Sequence, residues 1–564
     1  MVSIKTSYTK MQELLGMDVS IDELGNLLAY AKSEIDDYVE AEDMLVIDIK
    51  TSNRPDLWSA EGMVREIKGI LEKEAGIPTY EVKKSDYKVI VDPKLVSSRP
   101  YIACAIVKNL KLTDYSIKQF MQHSEKIDNS YGRKRNRSSI GMYNLSMIQS
   151  PVEYKVIDKK HKFIPLGYEE EMDLPTILDK HEKGLEFGDI VKGYGLYPIL
   201  LSANGTTLSL PPVINSNDVG RVTEETKELL IEVTGTNYET VNVVLNILCQ
   251  TMIDYGAFIY SVEIVYPPEI HEKNVMTPII EHEMISVDLN QINKYLGVNL
   301  TPKQGIRELR KRRFECETTE KSNLLVSIPP YRKDILHWVD IAEEIAIALD
   351  YNKIDATKWK VITEGGLLPE TESENIVRNI LVGSGGIEVL TNTLTGPEIL
   401  TKNVNLAKLD LVELQNPVSL TYSVLRNQLF PILISVLSRN THETYPQLIF
   451  EVGEVVKILD KKVATQSNAA FAFAGAEASF EECHKRLHML LDLLNAEYKI
   501  ESISHPSFTE GRSGKIVIDG KECGIIGEIH PSVLEINQIW VPIVVFEIEL
   551  PFIPALSCEM KFTY

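Results

Sequence analysis

PPYRKDILHWVDIAEEIAIALDY, residues 329–351, reads as an arginine–aspartate turn that runs into one short amphipathic helix. At 100° per residue, Trp338, Ile341, Ile345, Ala348 and Leu349 form a core-facing stripe, and Asp340, Glu343 and Glu344 fall on the opposite face. Leu336, Ile347 and Tyr351 extend that acidic face at its ends, and Asp334 lies just upstream. None of the three helical acids has a Lys or Arg three or four residues away to relieve the repulsion. Two readings follow: a solvated acidic face, or a site for a hard cation such as Mg²⁺, which takes a few carboxylate oxygens and keeps several waters.

Working outward, the same pattern occurs once more. NRPDLWSAEGMVREIKGIL (53–71) aligns without gaps on YRKDILHWVDIAEEIAIAL (331–349), matching Arg54 with Arg332, Asp56 with Asp334, and Glu66 with Glu344. The first copy has Gly62 and Arg65 where the second has Asp340 and Glu343. A folding template alone does not require the two extra acids, so the difference favours a cation for the second copy.

The rest of the chain divides into α+β units. Residues 1–85 read as a small α+β domain, with a helix near 21–32 behind a capping box at Ser20, a strand near 44–50, and a helix reaching about 73. Residues 86–266 are mostly strands (KVIVDP, YIACAIV, PILLSANGTTLSL, ELLIEVTGT) with one helix at 239–255, a mixed α/β domain. Residues 270–356 form a third unit that ends in the acidic helix. Residues 357–564 alternate strands (LDLVELQNP, QLIFEVGEVVKIL, GKIVIDGKECGIIGEI, VPIVVFEIEL) with helices near 372–382, 421–440 and 479–495, as in an antiparallel sheet flanked by helices.

A chain of 564 residues is long enough for several cores. Its net charge of −22 argues against nucleic-acid or membrane binding by the whole surface. Any RNA contact would use local basic patches, Arg133, Lys134, Arg135 and Arg137 or Arg310, Lys311, Arg312 and Arg313, each of which also suits a plain solvated face. The six scattered cysteines lack zinc or disulfide spacing, which fits a reducing cytoplasm. No apolar run approaches a membrane span, and MVSIKTSYTKMQELLG lacks the apolar core of a signal peptide.

TSNRPDLWSAEGMVREI, SIPPYRKDILHWVDIAEEIAIALDY and NPVSLTYSVLRNQLFPILISVLSRNTHETYPQLIFEVGEVV, with SLPPVINSN at 209–217, occur in one order along the chain. Together they resemble the β-subunit family of phenylalanine–tRNA ligases (phenylalanyl-tRNA synthetases), in its archaeal form, close to the cytosolic eukaryotic one. The resemblance implies an (αβ)₂ enzyme that joins phenylalanine to its tRNA with ATP and Mg²⁺, its aminoacylation site on the α subunit. It implies that Asp334, Asp340, Glu343 and Glu344 are Mg²⁺ ligands in a site shared with α. It also implies that 357–564 is a class II synthetase-like core without catalytic residues. Consistent with that, a class II site clamps ATP with arginines, and beyond residue 450 this chain has only Arg486 and Arg512. The tRNA-binding barrel and the anticodon-binding domain of the bacterial chain are expected to be missing, with the sequence ending at PFIPALSCEMKFTY soon after its last core strand.

The family places a second, hydrolytic site in the 86–266 unit. Its chemical rationale is that an apolar phenylalanine pocket rejects tyrosine by only on the order of 10². The resemblance maps that pocket to Leu200, Ser209, Glu232 and Thr234. The surrounding residues are rich in hydroxyls and amides but hold no Ser/His/Asp or Cys/His set, so hydrolysis there would rely on positioned water and on the substrate's own groups. A non-catalytic RNA-binding or scaffold protein that reuses synthetase modules is the alternative, and a free-standing editing hydrolase comes last.

Overall fold

The structure, a computed structural model, describes residues 2–319, 322–358, 363–407 and 409–550. These form two compact units, residues 1–358 and 359–564. PFIPALSCEMKFTY and Cys558 lie outside the described residues. The remaining five cysteines are free thiols. No described helix is long and apolar enough to cross a membrane.

In the first unit, Met44–Ile49 is the middle strand of a three-stranded antiparallel sheet between Val2–Ser7 and Ser33–Val39. Its period-two pattern buries Leu45, Ile47 and Ile49. Helix Ile21–Tyr30 begins with the reciprocal Ser20–Glu23 capping box. Helix Ala60–Ile70 approaches its neighbours so closely that a Cβ on Gly62 would lie 1.8 Å from the Asp56 carbonyl oxygen, and one on Gly69 2.2 Å from that of Lys311. Gly62 is therefore a packing requirement of the first copy of the repeat.

Beside this sheet lies a mixed sheet of eleven strands. One end of its path runs through Phe258–Val265, Tyr101–Lys108, Glu228–Gly235 and Ser138–Asn144, and the other ends in Tyr197–Leu201, Thr207–Leu210 and Ile214–Asn215. The two ends nonetheless meet. The Ser209 hydroxyl lies 2.8 Å from that of Tyr143, and Asn215 donates to the Met142 carbonyl at 3.5 Å. The sheet is coiled on itself, with a seam between its first and last strands.

Alternation along Glu228–Gly235 directs Leu229, Ile231 and Val233 into one core and Leu230 into another. The period of two puts Glu232 and Thr234 on the Leu230 side, inside the coil. The outer core contains helix Tyr238–Asp254 and residues from Ile4 to Ile67, so it does not stop near residue 85. The two segments share one interior.

A smaller sheet, Glu283–Asp288 and Glu315–Thr318 on either side of Asn323–Ile328, carries helices Leu289–Leu296, Pro302–Lys311 and Trp338–Leu349. Trp338–Leu349 buries Ile341, Ile345 and Ala348, as its stripe requires. It also buries Glu344, which the acidic-face reading left exposed.

The second unit is built on a seven-stranded sheet, antiparallel except for the pairing of Ile387–Glu388 with Gln447–Leu459. Helices Pro369–Gly383 and Phe480–Leu493 cover one core, and Phe430–Arg439 the other. Two expectations fail locally. LDLVELQNP forms only a single bridge, Glu413 to Val424. The helix expected from 421 begins at Phe430, because Val424–Leu425 pairs with Leu394–Thr395, and Pro431 suits a first turn but not a helix interior.

Candidate functional site

A cavity of about 400 Å³ opens along the seam of the coiled sheet. Its polar lining includes Asp128, Arg135, Ser139, Ser209, Asn215 and Glu232, with the charged Glu125, Lys183 and Arg221, and most of the rest is apolar. Glu232 is 3% exposed, and its Oε1 lies 2.9 Å from the Tyr143 hydroxyl. That hydroxyl has one proton for two neighbours, so it donates to one of Glu232 and Ser209 and accepts from the other. The pair needs Gly141, where a Cβ would come within 2.2 Å of the Tyr143 oxygen and 2.7 Å of Glu232 Oε1. Glu232 Oε2 has no hydrogen-bond partner among the described residues. Burial pushes the Glu232 carboxyl up to about 8, only partly offset by Tyr143 and by Arg99, so it is mainly neutral at pH 7.

Of the four residues expected in a hydrolytic pocket, Ser209 and Glu232 meet at this cavity. Leu200 pairs across the strands with Ser209 but belongs to the core behind it. Thr234 is closed off by the buried Arg99, which donates to its hydroxyl (3.0 Å) and its carbonyl (2.6 Å). Arg99 also donates to Ser139 at 3.0 Å, so Thr234 belongs to the frame that holds a lining residue. Asp128, Arg135, Ser139 and Tyr143 were not expected. Arg135 stood within a run read as a basic patch, yet it turns inward and donates to the carbonyls of Pro212 (3.1 Å) and Val213 (3.0 Å), its guanidinium 4.2 Å over the Phe187 ring. Arg133 and Lys134 of that run stay exposed. No histidine or cysteine lines the cavity among the described residues, so the site offers polarised hydroxyls and carboxyls but no strong nucleophile.

The acidic helix has a different environment from the one its own sequence indicates. Glu344, 1% exposed, accepts from Arg312 at 2.7 Å and from Arg332 at 2.9 Å, with Arg54 at 3.9 Å. Asp334 is held bidentately by Arg332, both contacts at 2.7 Å. The first copy repeats this: Arg54 holds Asp56 at 2.9 and 2.7 Å and reaches Glu66 at 3.3 Å. The missing bases were therefore present, but 12 and 32 residues from Glu344 and not three or four. The guanidinium groups outweigh desolvation and hold Glu344 well below the usual carboxylate range. Asp340 instead accepts from the backbone N–H groups of Leu336 (2.7 Å) and His337 (2.8 Å), and the exposed Glu343 meets Lys32 at 3.1 Å.

Within this chain alone the arrangement does not form a Mg²⁺ site. Among the described residues no group of three or more His, Cys, Asp or Glu side chains is placed to hold a metal ion. The unfilled valences around Glu344 belong to Arg54 Nη1, Arg312 Nη2 and Arg332 Nη1, donors that repel a cation. The second basic patch is corrected at the same time. Arg312 and Arg313 are buried, Arg312 also donating to the Tyr30 carbonyl at 2.8 Å and Arg313 to that of Glu74, while Arg310 remains exposed.

Comparison with known proteins bears on both regions. Residues 354–550 match the phenylalanyl tRNA synthetase beta chain CLM domain, and residues 285–351 the tRNA synthetase B5 domain. The phenylalanine–tRNA ligase beta subunit of Pyrococcus abyssi is 40% identical over 98% of this chain and 99% of its own length. That of Sulfurisphaera tokodaii is 36% identical over 96% and 97%. The crystal structure of an N-terminal fragment of the phenylalanyl-tRNA synthetase beta subunit from Pyrococcus horikoshii is 40% identical, with a TM-score of 0.59. It covers 61% of this chain and 99% of that fragment.

Proposed function

The chain belongs to the phenylalanine–tRNA ligase β-subunit family, and from that premise we propose that it works as one half of a ligase and carries a hydrolytic site of its own. As such a subunit it acts with an α subunit that carries out the joining of phenylalanine to its tRNA, a reaction for which the family uses ATP and Mg²⁺. Similarity over nearly the whole chain favours this over a non-catalytic RNA-binding scaffold. We further infer an (αβ)₂ assembly acting in the cytoplasm, with residues 86–266 as an editing-type domain and 357–564 as a class II-like core without catalytic residues. The last point is supported by the two arginines beyond residue 450. Arg486 is engaged by Glu482 and lies over Phe473, and Arg512 pairs with Glu528 at the surface.

The seam cavity is the hydrolytic site, and the substrate is tyrosyl-tRNA formed by mischarging. The carrying observation is the unpartnered Oε2 of the buried Glu232 on the wall of a mostly apolar cavity. A tyrosine ring fills the apolar part, and its phenolic hydroxyl satisfies that oxygen. Phenylalanine leaves it unpaired, at a cost of about 1–3 kcal/mol, or roughly 5- to 150-fold. With no side-chain nucleophile in place, water attacks the ester. Asp334, Asp340, Glu343 and Glu344 take structural roles in this reading, and no step runs through a metal they would hold.

The test is deacylation of preformed tyrosyl-tRNA by the αβ complex. Glu232→Ala is expected to slow it at least tenfold while phenylalanine charging stays nearly unchanged. Equal deacylation rates would remove Glu232 from the site, and equally impaired charging would mean that the substitution damages the fold.

A further inference from the structure

The cavity contains a second buried carboxyl that the reading above leaves unused. Asp128, 3% exposed, ends helix Asp114–Asn129. Its Oδ2 lies 3.1 Å from Arg135 Nε, and its Oδ1 has no hydrogen-bond partner among the described residues. Arg135 does not fill that vacancy, because Nη1 is spent on the Pro212 and Val213 carbonyls and its face on Phe187. Each of these two cavity-lining carboxyls, Glu232 and Asp128, therefore keeps one buried oxygen without a partner among the described residues.

Their positions differ. Glu232 lies on a strand paired on both sides, at the floor. Asp128 follows by one helical turn the exposed Glu125, which also lines the cavity, so this helix runs along the mouth. Their electrostatics differ as well. Glu232 has a phenol against it and no cation in contact, which suits a neutral hydroxyl. Asp128, raised by burial to about 7, has one oxygen beside Arg135, and its other oxygen can accept from an N–H donor.

An aminoacyl ester presents one cationic group, its α-ammonium, on the mouth side of the ring. We propose that Asp128 Oδ1 binds the α-ammonium of the ester whose phenolic hydroxyl reaches Glu232, making Asp128 a specificity determinant of the hydrolytic site. This rests on the hydrolytic reading above. Hydrolysis adds water across the ester bond, leaving the ribose hydroxyl and a free amino acid.

The experiment compares two esters on the αβ complex: tyrosyl-tRNA and 3-(4-hydroxyphenyl)propanoyl-tRNA, which lacks only the amino group. The second ester is intrinsically less reactive, so the effect of Asp128→Asn on each ester is what counts. Asp128→Asn is expected to lower kcat/KM for tyrosyl-tRNA by about tenfold or more and to leave the desamino ester within about twofold. Equal slowing of both esters, or of neither, overturns the proposal while leaving hydrolysis itself intact. Wild-type complex inert toward tyrosyl-tRNA would instead overturn the hydrolytic reading, and this proposal with it. Should Asp128→Asn fail to fold, the wild-type complex decides through inhibition. Tyramine is expected to inhibit deacylation about tenfold more tightly than 4-ethylphenol, and equal inhibition overturns the proposal.

Discussion

Glu344 and Glu232 are the same residue type at nearly the same depth, 1% and 3% exposed, and they are in opposite states. Glu344 is surrounded by Arg312, Arg332 and Arg54 and remains ionised. Glu232 faces a phenol and takes up a proton. Both Glu344 oxygens are engaged, whereas one Glu232 oxygen is bare. Burial alone thus says little about what a carboxyl does. A saturated one holds structure together, and one with an unused valence beside a cavity is available to a ligand.

The strongest way to break this comparison is to remove the saturated acid. Glu344→Ala leaves Arg312 and Arg332 buried without their shared partner and is expected to destabilise the first unit by about 3–5 kcal/mol. Denaturation of the full chain, followed through the buried Trp58, would measure it; a loss below about 1 kcal/mol would mean that the arginines find other partners.

The next effect concerns pH. A carboxyl raised from 4.5 to about 8 contributes stability in its protonated form below 4.5 and loses it as pH rises towards 8, because the native state holds a proton that the unfolded chain has released. Glu232 should therefore make stability fall by about 1.4 kcal/mol per pH unit across that window, and Glu232→Gln should remove that part of the slope. Glu344 has the opposite sign: its contribution is present above 4.5 and fades only as pH falls further. An unchanged slope in Glu232→Gln would mean that Glu232 is ionised like Glu344.

The smallest effect sharpens the contrast within one helix. Glu343 is half exposed and meets only Lys32, so Glu343→Ala should cost about 0.2–1 kcal/mol in the same denaturation measurement. Adjacent glutamates would then differ several-fold in what they contribute.

Local chemistry made much of the fold legible. The capping box at Ser20, the alternation of Leu45, Ile47 and Ile49, and the stripe Ile341, Ile345 and Ala348 act within a few residues, and each formed its element. Period two likewise put Glu232 on an inner face with Thr234. Partners across the fold were not legible. The bases of Glu344 lie beyond any helical neighbour, and ELRKRRF reads as a surface run until Arg312 and Arg313 are found buried. Asp128 and Arg135 meet Ser209 only because the sheet coils, and no short-range pattern records that closure. One of the two acids that set the second helix apart from the first also has a local explanation: Asp340 caps the helix start, while its counterpart Gly62 occupies a gap too narrow for any side chain.

The paired arginine–aspartate turns bear on how the protein is made. Arg54 leaves the ribosome 290 residues before Glu344, an interval of roughly 15–60 s at ordinary elongation rates. During that time the first turn has its own counter-ions, Asp56 two residues on and Glu66 one helix later, so its guanidinium need not wait for the distant half. Arg312, Arg332, Asp334 and Glu344 then emerge within one short stretch and neutralise one another. Translation can thus pause anywhere between the two turns without leaving Arg54 uncompensated.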